Sequence, residues 1–269
     1  MHDGDIAIGE ELGRSQASRS RDQGAVSVSE IARFHIRSLK ARFRDHKTEF
    51  AAIRHRLRPG DIVCDIGANK GSFTSWLSRW CGEQGRVVAF EPQRELAARL
   101  AAVCAAAGLR NVTVEAKAVD ASSGRRELHI PIGHAPGASL NPPALSADKF
   151  DKATVPVVAL DDYFKPHERV ALLKVDVEGG ELDVFRGARR MLERDMPALV
   201  FECEARHMVG RTIDDVFAYL AALGYRGSFV SPTGLVPLSA FDVAIHQRRD
   251  GAWFWKRKDY CNNFIFTPG

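Results

Sequence analysis

No Cys-x-x-Cys pair occurs in the sequence, and its five cysteines (Cys64, Cys81, Cys104, Cys203 and Cys261) are odd in number and scattered. That pattern supports neither a zinc knuckle nor a disulfide framework. With three of them inside apolar segments, they read as reduced core thiols of a cytoplasmic protein. No apolar run approaches the roughly 20 residues that cross a bilayer, and no early basic-then-apolar stretch suggests a signal peptide. A dominant charge is missing as well. Lys plus Arg total 38 against 34 for Asp plus Glu, a formal +4, which is too even to argue for nucleic acid as a partner. There are no internal repeats. The chain has 269 residues, 45% of them hydrophobic, which suits one large domain or one domain with an extension.

Against these absences stands one dense stretch, Val63-Cys64-Asp65-Ile66-Gly67-Ala68-Asn69-Lys70-Gly71. A short apolar run carries an acid and opens into a glycine-bearing bend. Phe73, Trp76, Leu77 and Trp80 then recur at helical spacing, and Gly82 stops them. Strand, tight turn and helix follow, with Gly67, Ala68 and Gly71 small enough for the backbone to approach a ligand. No Gly-Lys-Ser/Thr follows at P-loop spacing, and the middle glycine of a dinucleotide fingerprint is replaced. A nucleoside without phosphates fits better, with Asp65 available to a cationic amino group. Val87-Val88-Ala89-Phe90 is a second apolar run, and Glu91 ends it about twenty residues beyond the glycines, where such folds place a carboxylate on ribose hydroxyls.

Upstream, residues 1–26 are polar and aperiodic, and disorder is expected there. Ser27 with Glu30 makes a capping box, and apolar residues from Ile31 to Leu57 follow at helical intervals, as one long helix or two. Their other faces carry Arg33, Arg37, Lys40 and further basic residues. These suit attraction of an anionic substrate or contact with a membrane surface, but a solvated helix face over the core is the preferred reading.

Downstream, strands and helices alternate, which predicts a mostly parallel sheet covered on both faces. Val112 to Val119 reads as a third strand ending at Asp120, an acid placed either for an adenine amino group or for the turn before Ser122-Ser123-Gly124. Leu128–Ile132 and Val155–Leu160 read as strands around a long loop at 133–150, a length that is more often functional than idle. His129 and His134 near it are second-choice catalytic residues. Lys174, Asp176 and Glu178 sit at the end of a further apolar run, and strict alternation puts all three on one side of the strand. Either they form an internal ion pair or they do chemistry, at the sheet end where α/β folds bind ligands. Pro197–Phe201 is another strand, ending in acids with His207 nearby. Two closing strands, near Tyr225–Val230 and Asn263–Phe266, flank an aromatic loop at Trp253–Lys256 that suits either a pocket wall or simple packing.

Asp65–Gly71, Phe90-Glu91-Pro92, Leu160-Asp161-Asp162-Tyr163, Lys174–Gly179 and Asn262–Phe266 together resemble the FkbM-type methyltransferases, over roughly residues 58–268. The sequence departs from that pattern at Gly180, where the family usually has a bulky residue. The resemblance implies a Rossmann-like class I methyltransferase fold: a mostly parallel seven-stranded α/β sheet, helices on both faces and an antiparallel terminal strand. The chain then divides into a tail (1–26), a helical extension (27–57) and a methyltransferase domain (58–269). The resemblance also implies S-adenosylmethionine as cofactor and methylation of a hydroxyl on a small molecule or sugar. Gly67, Ala68, Asn69 and Gly71 would shape its pocket beside Asp65, Glu91 would take the ribose and Asp120 the adenine. Of Asp176 and Glu178, one would orient the substrate or the cofactor amino group, with Asp176 counted among the cofactor-binding residues, and the other would draw the proton. Lys174 would tune their charge, and His207 is a reserve base. A carboxylate pair also suits a divalent cation, but no further ligand spacing accompanies it, so no metal is expected. Two other readings are a dinucleotide-dependent oxidoreductase, which the missing glycine opposes, and a cofactor-binding protein without catalysis, which the intact Asp176/Glu178 pair opposes.

Overall fold

The computed structural model describes residues 25–132, 137–141 and 150–269. Nearly all of the expected tail, His134 and most of the long loop lie outside them. Chain order begins with α1 (Val28–Lys40), a π-helical turn over Ala41–Asp45 and α2 (Lys47–Arg54). Next come β1 (Ile62–Ile66), α3 (Ser72–Cys81), β2 (Arg86–Phe90), α4 (Arg94–Ala106), β3 (Val112–Glu115), β4 (Ala118–Val119), β5 (Gly124–Pro131) and β6 (Phe150–Val158). Then follow α5 (Leu160–Tyr163), β7 (Val170–Val175), α6 (Glu181–Arg186), α7 (Arg189–Asp195), β8 (Ala198–Glu202) and α8 (Ile213–Ala222). The last elements are β9 (Tyr225–Ser231), β10 (Gly234–Pro237), α9 (Val243–His246) and β11 (Asn263–Pro268).

The central sheet has the order β10-β9-β11-β8-β7-β1-β2-β3. Strands β3, β2, β1, β7 and β8 run parallel. β11 enters antiparallel between β8 and β9. The seven expected strands are therefore present, with the antiparallel one inside the sheet, and β10 adds an eighth by a hairpin at the edge.

Alternation along the strands sorts two cores. Val63, Val87, Leu172, Val200 and Ile265 face α2 and α3, where Phe50, Ile53, Leu77 and Trp80 cover them. Cys64, Ile66, Val88 and Phe90 point the other way, toward Leu182, Phe185, Leu192 and Val216 of α6 to α8.

The N-terminal helices are built into this arrangement. Ser27 and Glu30 cap α1 reciprocally, and Arg99 of α4 pairs with Glu30. The Trp76 indole donates to the Ser38 carbonyl at 2.8 Å. Phe34, Phe50 and Ile53 are each at most 1% exposed, so α1 and α2 complete the core.

One strand differs from expectation. The run from Val112 to Val119 breaks after Glu115, and Ala118–Val119 leave the main sheet to pair with Val157–Val158 of β6. The reason is a separate apolar cluster, in which Ala118 packs with Leu128, Val155 and Val157 beneath a small sheet ordered β4-β6-β5. No helix among the described residues is long and apolar enough to cross a membrane.

Candidate functional site

The bend after β1 is held by close backbone approach. Gly67 and Ala68 both donate their amides to the Phe90 carbonyl at 3.0 Å, and Asp176 donates its own to Ile66 at 3.0 Å. Gly67 has φ +73°, and a Cβ there would run into the Asp176 carbonyl, so only glycine fits. Gly71 (φ +74°) is wedged against Leu100 and Phe34 and begins α3 without any side-chain cap.

Register then explains the charges. Asp65 in β1 lies opposite Lys174 in β7, and both side chains point toward the start of α3. The Lys174 ammonium sits 3.4 Å from Asp65 Oδ1, 3.3 Å from Asp176 Oδ2 and 3.0 Å from the Gly67 carbonyl. Burial works to discharge Lys174, but Asp176 and Asp65 outweigh it and push its pKa up. The other oxygen of Asp65 accepts from the Thr74 hydroxyl at 2.5 Å. The amino group that meets Asp65 is therefore that of Lys174.

Glu91 is buried at the end of β2, where its two oxygens accept the amides of Asn69 and Gln93, each at 3.0 Å. Burial raises its pKa although both amides pull the other way. Asp120, also buried, accepts from Arg126 at 2.5 Å and from the amide of Ala121 at 2.8 Å.

Two clefts open over the C-terminal ends of the parallel strands. The first spans about 700 Å³, counting the part open to solvent, and is lined by Glu91, Asp120, Phe90, Leu140 and Asn141, among others. The second, about 1070 Å³, runs under α1, with Arg37, His46, Asp65, Lys174 and Glu202 in its walls. Gly67, Asn69 and Asp176 line both, so the clefts meet there. Ala68 lines the second cleft, whereas Gly71 supports the bend from behind.

The expectation that Lys174, Asp176 and Glu178 share one side of a strand needs correcting. β7 ends at Val175, and Glu178 turns left-handed at φ +55°. Its carboxylate pairs with His207 at 2.8 Å, and neither residue lines either cleft. Burial would lower the His207 pKa, but the bond to Glu178 prevails and raises it. His129 meets Glu127 at 3.5 Å, also away from the clefts.

The sequence profile of the methyltransferase FkbM domain matches residues 65–226. The chain belongs to the FkbM methyltransferase family. Among solved structures, methyltransferase FkbM from Methylobacillus flagellatus KT superposes with a TM-score of 0.50 at 14% identity, over 96% of this chain and 60% of that one. This family member thus spans about 60% of the length of the Methylobacillus protein. A SAM-dependent methyltransferase from Aquifex aeolicus matches with a TM-score of 0.46 at 14% identity, covering 88% of this chain and 97% of its own. At 14% identity the likeness to the Methylobacillus structure is one of fold. No curated protein matches by sequence.

At the family's departure point, Gly180 begins α6 and lines the first cleft. A Cβ there would sit 3.3 Å from Val177 and 3.9 Å from Asn141. The small residue leaves room for Asn141, whose amide donates to the Gly179 carbonyl at 2.8 Å while the Ser139 hydroxyl donates to that of Glu178 at 2.7 Å.

Several cleft residues carry little signal in the sequence. Arg126 reaches Asp120 only because β5 turns back to pair with β6, the neighbour of β4, and Arg37 showed in the sequence only as one member of a basic helix face outside the family match. Glu202 did have a signal, as an acid ending a buried strand like Glu91. It lines the second cleft, and burial followed by the charges of Asp176, Glu178 and Glu204 drives its pKa well up.

Proposed function

We propose that this chain transfers the methyl group of S-adenosylmethionine to a hydroxyl on a small molecule or sugar. The observation that supports it best is the seam at Gly67, Asn69 and Asp176, which two clefts share, the first of them holding the buried acids Glu91 and Asp120. The first cleft fits the nucleoside chemically. Glu91 is a buried acid with lone pairs beyond its two amide bonds, and a ribose diol offers two donors to it. Asp120, with Arg126, would stand at the adenine end. Gly67 and Asn69 would floor the passage.

When bound, S-adenosylmethionine supplies a methyl group already made electrophilic by its sulfonium. The chain has to align an acceptor oxygen with that methyl and remove its proton. Alignment can be worth about 7–11 kcal/mol of the barrier. Asp176, about a third exposed at the seam, would orient the hydroxyl and accept its proton. Lys174 would hold that carboxylate in place. In this reading Glu178 and His207 secure the turn that carries Asp176. All five cysteines are buried and free, in keeping with the cytoplasmic location proposed.

Incubation with S-adenosylmethionine and a metabolite extract tests the reading. Mass spectrometry should find S-adenosylhomocysteine together with an acceptor heavier by one methylene. Asp176→Asn should lower turnover about 100-fold or more while leaving cofactor affinity nearly unchanged. A fully active variant would remove Asp176 from the mechanism.

A further inference from the structure

Methyl transfer gives no reason for the outward face of α1. Phe34 and Ser38 turn the inner side of this helix to the core. Val28, Ala32, Ile36 and Leu39, spaced by four, four and three, fall on the opposite side and are exposed. Val28 is 83% exposed, Ile36 62% and Leu39 46%, and Phe43 in the π-helical turn that follows is 64% exposed. Single exposed apolar side chains are ordinary on a protein surface, but a continuous row of them marks a contact.

Beside this stripe runs a second row, Arg33, Arg37 and Lys40, spaced by four and three, and Arg44 follows it past the helix end. Residues 28–45 carry five cations, Arg42 among them, and two acids. Both acids are engaged: Glu30 with Arg99, and Asp45 with Arg44 and Lys40. Among the described residues, Arg33 and Arg37 form no ion pair. A solvated basic face accounts for this row but gives no reason for the apolar one next to it.

Charge separates the occupants that could cover the stripe. A second copy of this chain would set one basic row beside another, with no free acid on α1 to meet it. A nucleic acid would neutralise the row and leave Val28, Ile36 and Leu39 in water. A lipid surface with acidic headgroups satisfies both rows together, as it does for basic amphipathic helices that lie in the plane of a membrane. We propose that α1 lies along an anionic lipid surface, with Val28, Ile36, Leu39 and Phe43 among the acyl chains nearest the headgroups and Arg33, Arg37, Lys40 and Arg44 against lipid phosphates. Arg37 and Lys40 also line the second cleft, so docking brings that cleft up to the surface.

Co-sedimentation of the full chain with phosphatidylcholine vesicles, with and without phosphatidylglycerol, tests this. Binding should appear with the acidic lipid, fall as salt rises and be weak on phosphatidylcholine alone. Ile36→Gln with Leu39→Gln changes two exposed side chains. This pair should weaken binding about tenfold or more. Arg33→Gln with Arg44→Gln should cost about fivefold per charge, a difference that vanishes at high salt. Thermal melts of both variants should match the wild type, since all four side chains are exposed. Absence of vesicle binding, or binding that neither variant weakens, overturns the proposal. So does a dimer in light scattering that Ile36→Gln with Leu39→Gln dissolves, because the stripe would then cover a second copy. Each readout is taken without a cofactor, so failure here leaves the methyl-transfer reading untouched.

Discussion

Glu181 shows how far burial alone can move a single group. It is 1% exposed, accepts the Gly179 amide with one oxygen and leaves the other unpartnered, and burial pushes its pKa up to about 7. Between its ordinary value of 4.5 and about 7, the folded chain keeps a proton that the unfolded chain has released. Stability should therefore be greatest below that window and fall as pH rises through it, by on the order of 3 kcal/mol. Urea unfolding at pH 5 and pH 8 should show a smaller fall in Glu181→Gln than in the wild type, with Glu91 and Glu202 keeping their own share. An unchanged slope would assign the pH dependence elsewhere. Gly67 makes the steric counterpart. Gly67→Ala should cost at least about 2 kcal/mol in a thermal melt and sharply weaken cofactor binding, because its Cβ and the Asp176 carbonyl claim one space. The glycines of this bend were legible in the sequence because only one residue type fits there. Arg37 was legible only as one of several basic residues on a helix face; that it is the one to line the second cleft was not, because no spacing along the chain announces it.

For whole elements, hydrophobic period was a reliable guide where a strand is buried on both faces. β1, β2, β7 and β8 stand where their apolar runs predict them. It failed where an element stops. Alternation continued past Val175 in the sequence reading, yet the backbone turns there, and Glu178 meets His207 instead of Asp176's cleft. It failed again after Glu115, where a second apolar cluster competes successfully for Ala118 and Val119. The segment at 137–141 is tied to the turn after β7 by Ser139 and Asn141. Replacing both by alanine should cost about 1 kcal/mol per hydrogen bond. It should also speed hydrogen exchange at the amides of residues 178–180, and unchanged exchange would show the turn to be self-supporting.

Across the whole molecule, the helices at 28–54 do what an appended extension would not. Phe34, Phe50 and Ile53 are essentially without exposure, and burying three such side chains contributes roughly 6 kcal/mol, comparable to the net stability of a typical domain. A chain that begins at residue 58 should therefore aggregate or melt without a cooperative transition. A soluble fragment with a native-like circular dichroism spectrum would contradict this. The same sheet also sets a timetable. β11 lies between β8 and β9, so the β9–β10 hairpin has no partner on its inner edge, β9, until residues 263–268 are available. During synthesis the ribosome therefore holds a half-sheet with an open seam, and that waiting period is when a chaperone has most to protect.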